Sequence, residues 1–192
     1  MKVFYLAIVL SVLLTGCSRK WKQPTHCDFN LSFDTETSSG VNEINSSTFY
    51  VSTLSFEGVR EEAGNIDISK TLDKQLNGNA IELIEFDIPQ GTYTDLNTEI
   101  VLSRNSGAAH TARINGKHSF SGGSFNNFII EIDSDILLLA DIFDADGTST
   151  ILLSKKVDRT ANIELDVTAL LDGIPEASWI DAVTGPGTIV ID

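Results

Sequence analysis

Apolar and polar residues alternate along most of this chain, and short runs of glycine, proline, asparagine or aspartate break the alternation. Residues 28–34 read Asp-Phe-Asn-Leu-Ser-Phe-Asp, which places Phe29, Leu31 and Phe33 on one side of a half-buried strand. Residues 47–59 hold Phe49, Tyr50, Val51, Leu54 and Phe56 and predict a second strand, with Glu57-Gly58 as a turn. Residues 80–88 predict a strand stopped by Pro89-Gln90-Gly91, and residues 93–103 another that ends at Asn105-Ser106-Gly107. Residues 109–114, 128–132 and 136–143 continue the series, divided by Asn115-Gly116, Gly122-Gly123 and Asp133-Ser134. Asp144-Ala145-Asp146-Gly147 turns into residues 149–157, residues 162–167 alternate at Ile163, Leu165 and Val167, and residues 188–191 close the chain as a brief strand.

Helical signals are few. Residues 65–69 read as a short strand or the entry to a helix, and Ile68, Leu72 and Leu76, recurring at every fourth position, suggest a short helix ending at Asn77-Gly78. Residues 168–173 predict a helical turn, and residues 175–182 a short helix with Trp179 on its inner face. About 8–10 short strands with one or two short helices predict an all-β fold, an antiparallel β-sandwich or barrel in a single domain.

The N-terminus follows a different pattern. Met1-Lys2 carries one positive charge, residues 3–14 are almost entirely apolar, and Leu14-Thr15-Gly16-Cys17 closes the run with small residues before a cysteine. A run of twelve residues falls short of the roughly 20 needed to span a bilayer. The layout is that of a secretory signal, and its last four residues resemble a lipobox. The expectation is a signal peptide over residues 1–16, a lipidated Cys17 with a tether to residue 27, and one sandwich domain over residues 28–192. Each buried methylene adds about 0.8 kcal/mol of membrane affinity, so diacylglycerol plus an amide-linked chain on Cys17 would anchor the protein stably. Membrane lipid is thus the one partner the sequence names.

Charge sharpens this placement. Of 192 residues, 13 are basic and 27 acidic, giving −14. Arg19, Lys20 and Lys22 lie beside the anchor, whereas from Asp28 onward 9 basic residues face 27 acidic ones, a net of −18. A basic tether can approach anionic head groups while the acidic body is repelled from them. Nucleic acid is excluded as a partner, because phosphate neutralisation needs clustered Lys and Arg. With Cys17 consumed by lipid, Cys27 has no disulfide partner and reads as an inert cysteine of the linker or of a strand start rather than a reactive thiol.

The acidic turn Asp141-Ile142-Phe143-Asp144-Ala145-Asp146-Gly147 offers the best metal candidate, with Asp144 and Asp146 as Ca²⁺ ligands. Setting Gly147 at the sixth place of an EF-hand loop puts Ile142 first and Leu153 twelfth, so that loop is excluded. An ordinary Asp-Gly hairpin turn competes with a weak site of another kind. His26, His110 and His118 lack zinc-motif spacing, and His26 beside Cys27 would need ligands from elsewhere to hold zinc or copper. No Gly-x-Ser-x-Gly elbow or phosphate loop is present, and no cofactor is expected. Carboxylate pairs such as Glu61-Glu62 and Glu82/Glu85 could in principle serve glycoside hydrolysis, but chance alone supplies such pairs among 27 acids. No catalytic residues are assigned.

Residues 49–62, Phe-Tyr-Val-Ser-Thr-Leu-Ser-Phe-Glu-Gly-Val-Arg-Glu-Glu, and 86–93, Phe-Asp-Ile-Pro-Gln-Gly-Thr-Tyr, resemble a Bacteroidota lipoprotein family with a transthyretin-like β-sandwich domain of unknown function. The resemblance spans about residues 28–170 and implies a sandwich in the cell envelope without implying an activity. In such proteins acidic residues after the lipidated cysteine accompany surface export. Ser18-Arg19-Lys20 departs from that pattern and favours an outer-membrane position facing the periplasm. The expected function is a non-enzymatic binding or structural role toward an envelope protein or glycan. A pilin-like or adhesive subunit whose residues 188–192 add a strand to a neighbour is the alternative, and a carboxylate-dependent glycoside hydrolase the third reading.

Overall fold

The computed structural model describes residues 24–34, 42–77, 81–105, 107–119, 125–155, 157–184 and 188–191. The expected signal segment, Cys17 and the expected tether up to residue 23 lie outside the described residues. The fold is all-β, with two short helices, α1 (Val167–Asp172) and α2 (Glu176–Thr184), among the described residues.

Two sheets form the sandwich. The smaller joins β1 (Pro24–Asp34) to β4 (Ile81–Pro89) antiparallel and to β10 (Arg159–Asp166) parallel. The larger is organised on β2 (Asn42–Arg60), a 19-residue strand. One edge of β2 pairs with β3 (Ile66–Asn77). Its other edge is shared by two strands in series: β6 (Ala112–Ser119) pairs residues 42–49, and β5 (Gly91–Leu102) pairs residues 51–60. Tyr50 marks the handover, donating its N–H to the Thr111 carbonyl and accepting from the Ser103 N–H. The same device recurs on β5, where β8 (Ile136–Asp141) pairs residues 97–102 and β9 (Ile151–Leu153) pairs residues 91–93. Beyond β6 lie β7 (Phe125–Ile132) and the parallel β11 (Thr188–Ile191), which ends the sheet within its own chain.

The buried face of β2 changes phase midway. Ser47, Phe49 and Val51 point inward, then Leu54, Phe56 and Gly58, with the register slipping between Val51 and Thr53 against both neighbours. Such bulges bend a strand and increase its twist, which lets one long strand serve two halves of a curled sheet. Aromatic rings join the layers. Phe29 stacks on Phe86 at 4.8 Å and meets Phe56 edge-on at 5.9 Å, and Phe33 stacks on Phe49 at 4.7 Å. At the other end α2 sets Trp179 against Phe128 of β7 at 4.9 Å and parallel to His118 of β6 at 4.4 Å.

Several local expectations change. Residues 66–77 form strand β3, not a helix. Ile68, Leu72 and Leu76 lie four apart, which also satisfies period two, and between them the half-buried Lys70 and Lys74 lay their stems along the sheet. Lys70 reaches over the Phe86 ring at 5.6 Å, and Lys74 donates to the Glu82 carbonyl at 3.0 Å. Asn115-Gly116 and Glu57-Gly58 lie inside strands rather than at turns. Both glycines are set by close approach: a Cβ on Gly116 would fall 2.3 Å from the Glu43 carbonyl oxygen, and one on Gly58 2.7 Å from the Tyr93 ring. The sandwich has eleven strands among the described residues rather than 8–10, and two of its pairings are parallel.

Candidate functional site

The handover from β8 to β9 along β5 opens a cleft. Between Asp141 and Ile151 the chain leaves the sheet and returns, so Asp144-Ala145-Asp146-Gly147 is the tip of an excursion and not a hairpin between partnered strands. This loop faces β10 and β1 of the smaller sheet across a cleft of about 680 Å³, a size suited to a small molecule. Phe29, Phe56, Ile88, Leu96, Leu153 and Ile163 supply apolar lining, while Asp141, Asp144, Asp158 and Glu164 bring carboxylates.

Among the described residues, Arg159 is the cationic side chain that lines the cleft. Its Nη1 lies 3.6 Å from Asp144 Oδ1, and its Nη2 donates to the Leu152 carbonyl at 3.2 Å, so one guanidinium ties β10 to both the loop and β9. Its Nε is buried without a hydrogen-bond partner. Cys27 lines the same cleft at 4% exposure, and burial followed by the Asp28 charge pushes its thiol up to about 11, against a smaller opposing effect of Arg159. The thiolate needed for nucleophilic chemistry is thereby suppressed at neutral pH.

The two aspartates singled out as Ca²⁺ candidates act on their own turn. Asp144 Oδ1 accepts from the Ala145 N–H at 2.8 Å. Asp146 Oδ1 accepts from the Thr148 hydroxyl at 2.7 Å and N–H at 3.0 Å, and these bonds, the hydroxyl first, hold Asp146 below its ordinary pKa. Gly147 adopts φ 81°, the conformation that glycine reaches without strain. The carboxylates considered for hydrolysis are separated in role. Glu62 accepts from Thr92 through both N–H and hydroxyl, which holds it below the usual range, whereas a proton-donating carboxyl needs the reverse. Glu85 belongs to a different constellation.

That constellation lies on the outer face of the smaller sheet. Alternation along β1 sends Cys27 into the core and His26 outward, so the two do not share a site. His26 Nε2 lies 3.4 Å from Asp28 Oδ1 and 3.3 Å from Glu85 Oε2, and its Nδ1 lies 3.6 Å from Asp87 Oδ1. Burial works against the charged ring, but Asp28, Glu85 and Asp87 outweigh it and hold the imidazole above its ordinary pKa. His26, Asp28 and Glu85 form the one group of three converging metal-ligand side chains among the described residues. His110 differs, contacting Asp133 through Nδ1 at 2.7 Å and Glu131 through Nε2 at 3.4 Å, with Arg113 also 3.6 Å from Glu131. His118 is buried, its Nδ1 2.7 Å from Asn42 Oδ1.

Sequence inspection passed over both features. His26 and Asp28 are two apart and so share a strand face, a visible signal, but Glu85 and Asp87 arrive only through the β1–β4 register. The cleft depends on β1 lying beside β10, about 130 residues away, which periodicity does not encode. No family model, curated protein or solved structure matches the chain.

Proposed function

We propose that this protein is a lipid-anchored envelope module, without catalytic activity of its own, that binds a compact uncharged amphipathic molecule in the cleft between its sheets. The observation that carries the reading is the cleft itself, a built concavity with apolar lining at the open side of the sandwich. The apolar body of the ligand would rest on Phe29, Leu96 and Ile163. A hydrogen-bond acceptor on the ligand would answer the partnerless Nε of Arg159. Among the described lining residues, four carboxylates against one guanidinium disfavour an anionic ligand. The lipobox-like Leu14-Thr15-Gly16-Cys17 supports anchoring, and the basic tether supports a periplasm-facing position on the outer membrane.

Two experiments test the two halves of this reading. Labelled palmitate should enter the protein in cells and be lost in Cys17→Ala; unchanged labelling removes the anchor. For the cleft, the neutral probe N-phenyl-1-naphthylamine should bind saturably, and the anionic anilinonaphthalene sulfonate at least tenfold more weakly. Ala161→Trp, which fills the cleft wall, should abolish the neutral probe's binding, and equal binding by the variant overturns the assignment.

A further inference from the structure

A directly opposed pair of like charges costs stability in an antiparallel ladder. Asp28 on β1 stands directly opposite Glu85 on β4, and two residues along, on the same face, His26 stands opposite Asp87. Among the described residues no lysine or arginine lies within ion-pair distance of Asp28, Glu85 or Asp87. Both the Asp28 and Glu85 carboxylates approach the same imidazole nitrogen, Nε2. A ring nitrogen carries one proton and serves one acceptor well, so this convergence exceeds what a histidine–carboxylate pair requires. His110 provides the contrast within the same molecule: its two carboxylates are divided between its two ring nitrogens, and Arg113 approaches one of them.

The two nitrogen–oxygen distances match a metal's coordination sphere, and all three ligand atoms lie within 4.8 Å of one another. Zinc bonded to imidazole nitrogen and carboxylate oxygen at about 2.0–2.1 Å in tetrahedral array separates its ligand atoms by roughly 3.3 Å. The nitrogen–oxygen separations here are 3.4 and 3.3 Å. A carboxylate that accepts from the other ring nitrogen is the usual outer partner of a zinc-bound histidine, and Asp87 Oδ1 stands 3.6 Å from Nδ1, within a small side-chain shift of that bond. An imidazole in the set selects against Mg²⁺ and Ca²⁺, which favour oxygen ligands. We propose that His26, Asp28 and Glu85 bind a divalent cation of the zinc class, with Asp87 orienting the imidazole. Three protein ligands leave the fourth position to water or to a group from a partner. The site lies on the outer face of the smaller sheet, away from the cleft lining, and does not depend on the ligand proposed for the cleft.

The test is zinc titration of the full-length chain in detergent against a chromophoric chelator, after metal stripping, with millimolar Mg²⁺ present. One Zn²⁺ should bind per chain. His26→Ala and Glu85→Gln should each lose this site, Asp87→Asn should weaken it about 10–100-fold, and His110→Ala should leave it unchanged. His26, at 41% side-chain exposure, can be replaced without opening the core, and unchanged melting of the metal-free variant confirms this. Wild-type affinity in His26→Ala, complete displacement by Mg²⁺, or no zinc uptake by the wild type would each overturn the proposal.

Discussion

Cys27 combines three properties that make it chemically quiet: an inward position on β1, burial, and an aspartate next in sequence. Iodoacetamide at pH 8 should leave it intact for hours in the folded protein and alkylate it promptly in urea; rapid labelling of the native state would contradict the thiol environment described. Gly116 makes a sharper demand. No rotamer relieves a Cβ that meets a backbone carbonyl at 2.3 Å, and the Phe128 ring lies as near as 2.5 Å on the same side. Gly116→Ala should therefore destabilise the protein by about 3 kcal/mol, read as a lowered urea midpoint at constant slope. That residue was read as a turn because Asn-Gly is a strong turn signal, and close packing of glycine in a strand leaves the same letter in the sequence.

At the scale of elements, α2 is held to the large sheet by Trp179, wedged between His118 and Phe128. Burial holds the His118 pKa below its ordinary value of 6.5, with Glu176 opposing. The folded state therefore binds this proton more weakly than the unfolded chain does. The His118 contribution is fully present above about pH 6.5 and is lost as the pH falls from there through the folded-state value. Between pH 7.5 and 5.5 the wild type should lose more stability than His118→Gln, measured by urea denaturation at each pH; parallel losses would refute the assignment. Strands with clean alternation were legible: β1, the core of β2, β5, β10 and β11 lie where the pattern placed them, and Trp179 faces inward as read. β3 was not, because half-buried lysines conceal its inward positions. The β8–β9 excursion was not either, since an Asp-Gly turn looks the same whether or not the flanking strands pair with each other.

For the whole molecule, cohesion between the sheets rests on the aromatic group of Phe29, Phe56 and Phe86, in which Phe56 of the large sheet meets both rings of the small one. Phe56→Ala should cost about 3–5 kcal/mol. Far-ultraviolet dichroism and tryptophan fluorescence should still report one coincident transition, because both sheets share this core. Separate transitions would show that the layers fold independently. The all-β class was legible from strand spacing alone, whereas the pairing of β1 with β10, and with it the cleft, belongs to long-range topology that no local pattern records.

The serial strands have a consequence for how such a molecule can change. Where β8 hands over to β9, and β5 to β6, the intervening loops carry none of the register, which is fixed separately on either side by the shared partner. Lengthening residues 142–150 should therefore alter the rim of the cleft while leaving its apolar lining from β1, β2 and β10 in place. A short peptide inserted after Gly147 should be carried without loss of folding, measurable as an unchanged melting temperature. One frame can then be refitted to different ligands by insertion alone, with no substitution in its core.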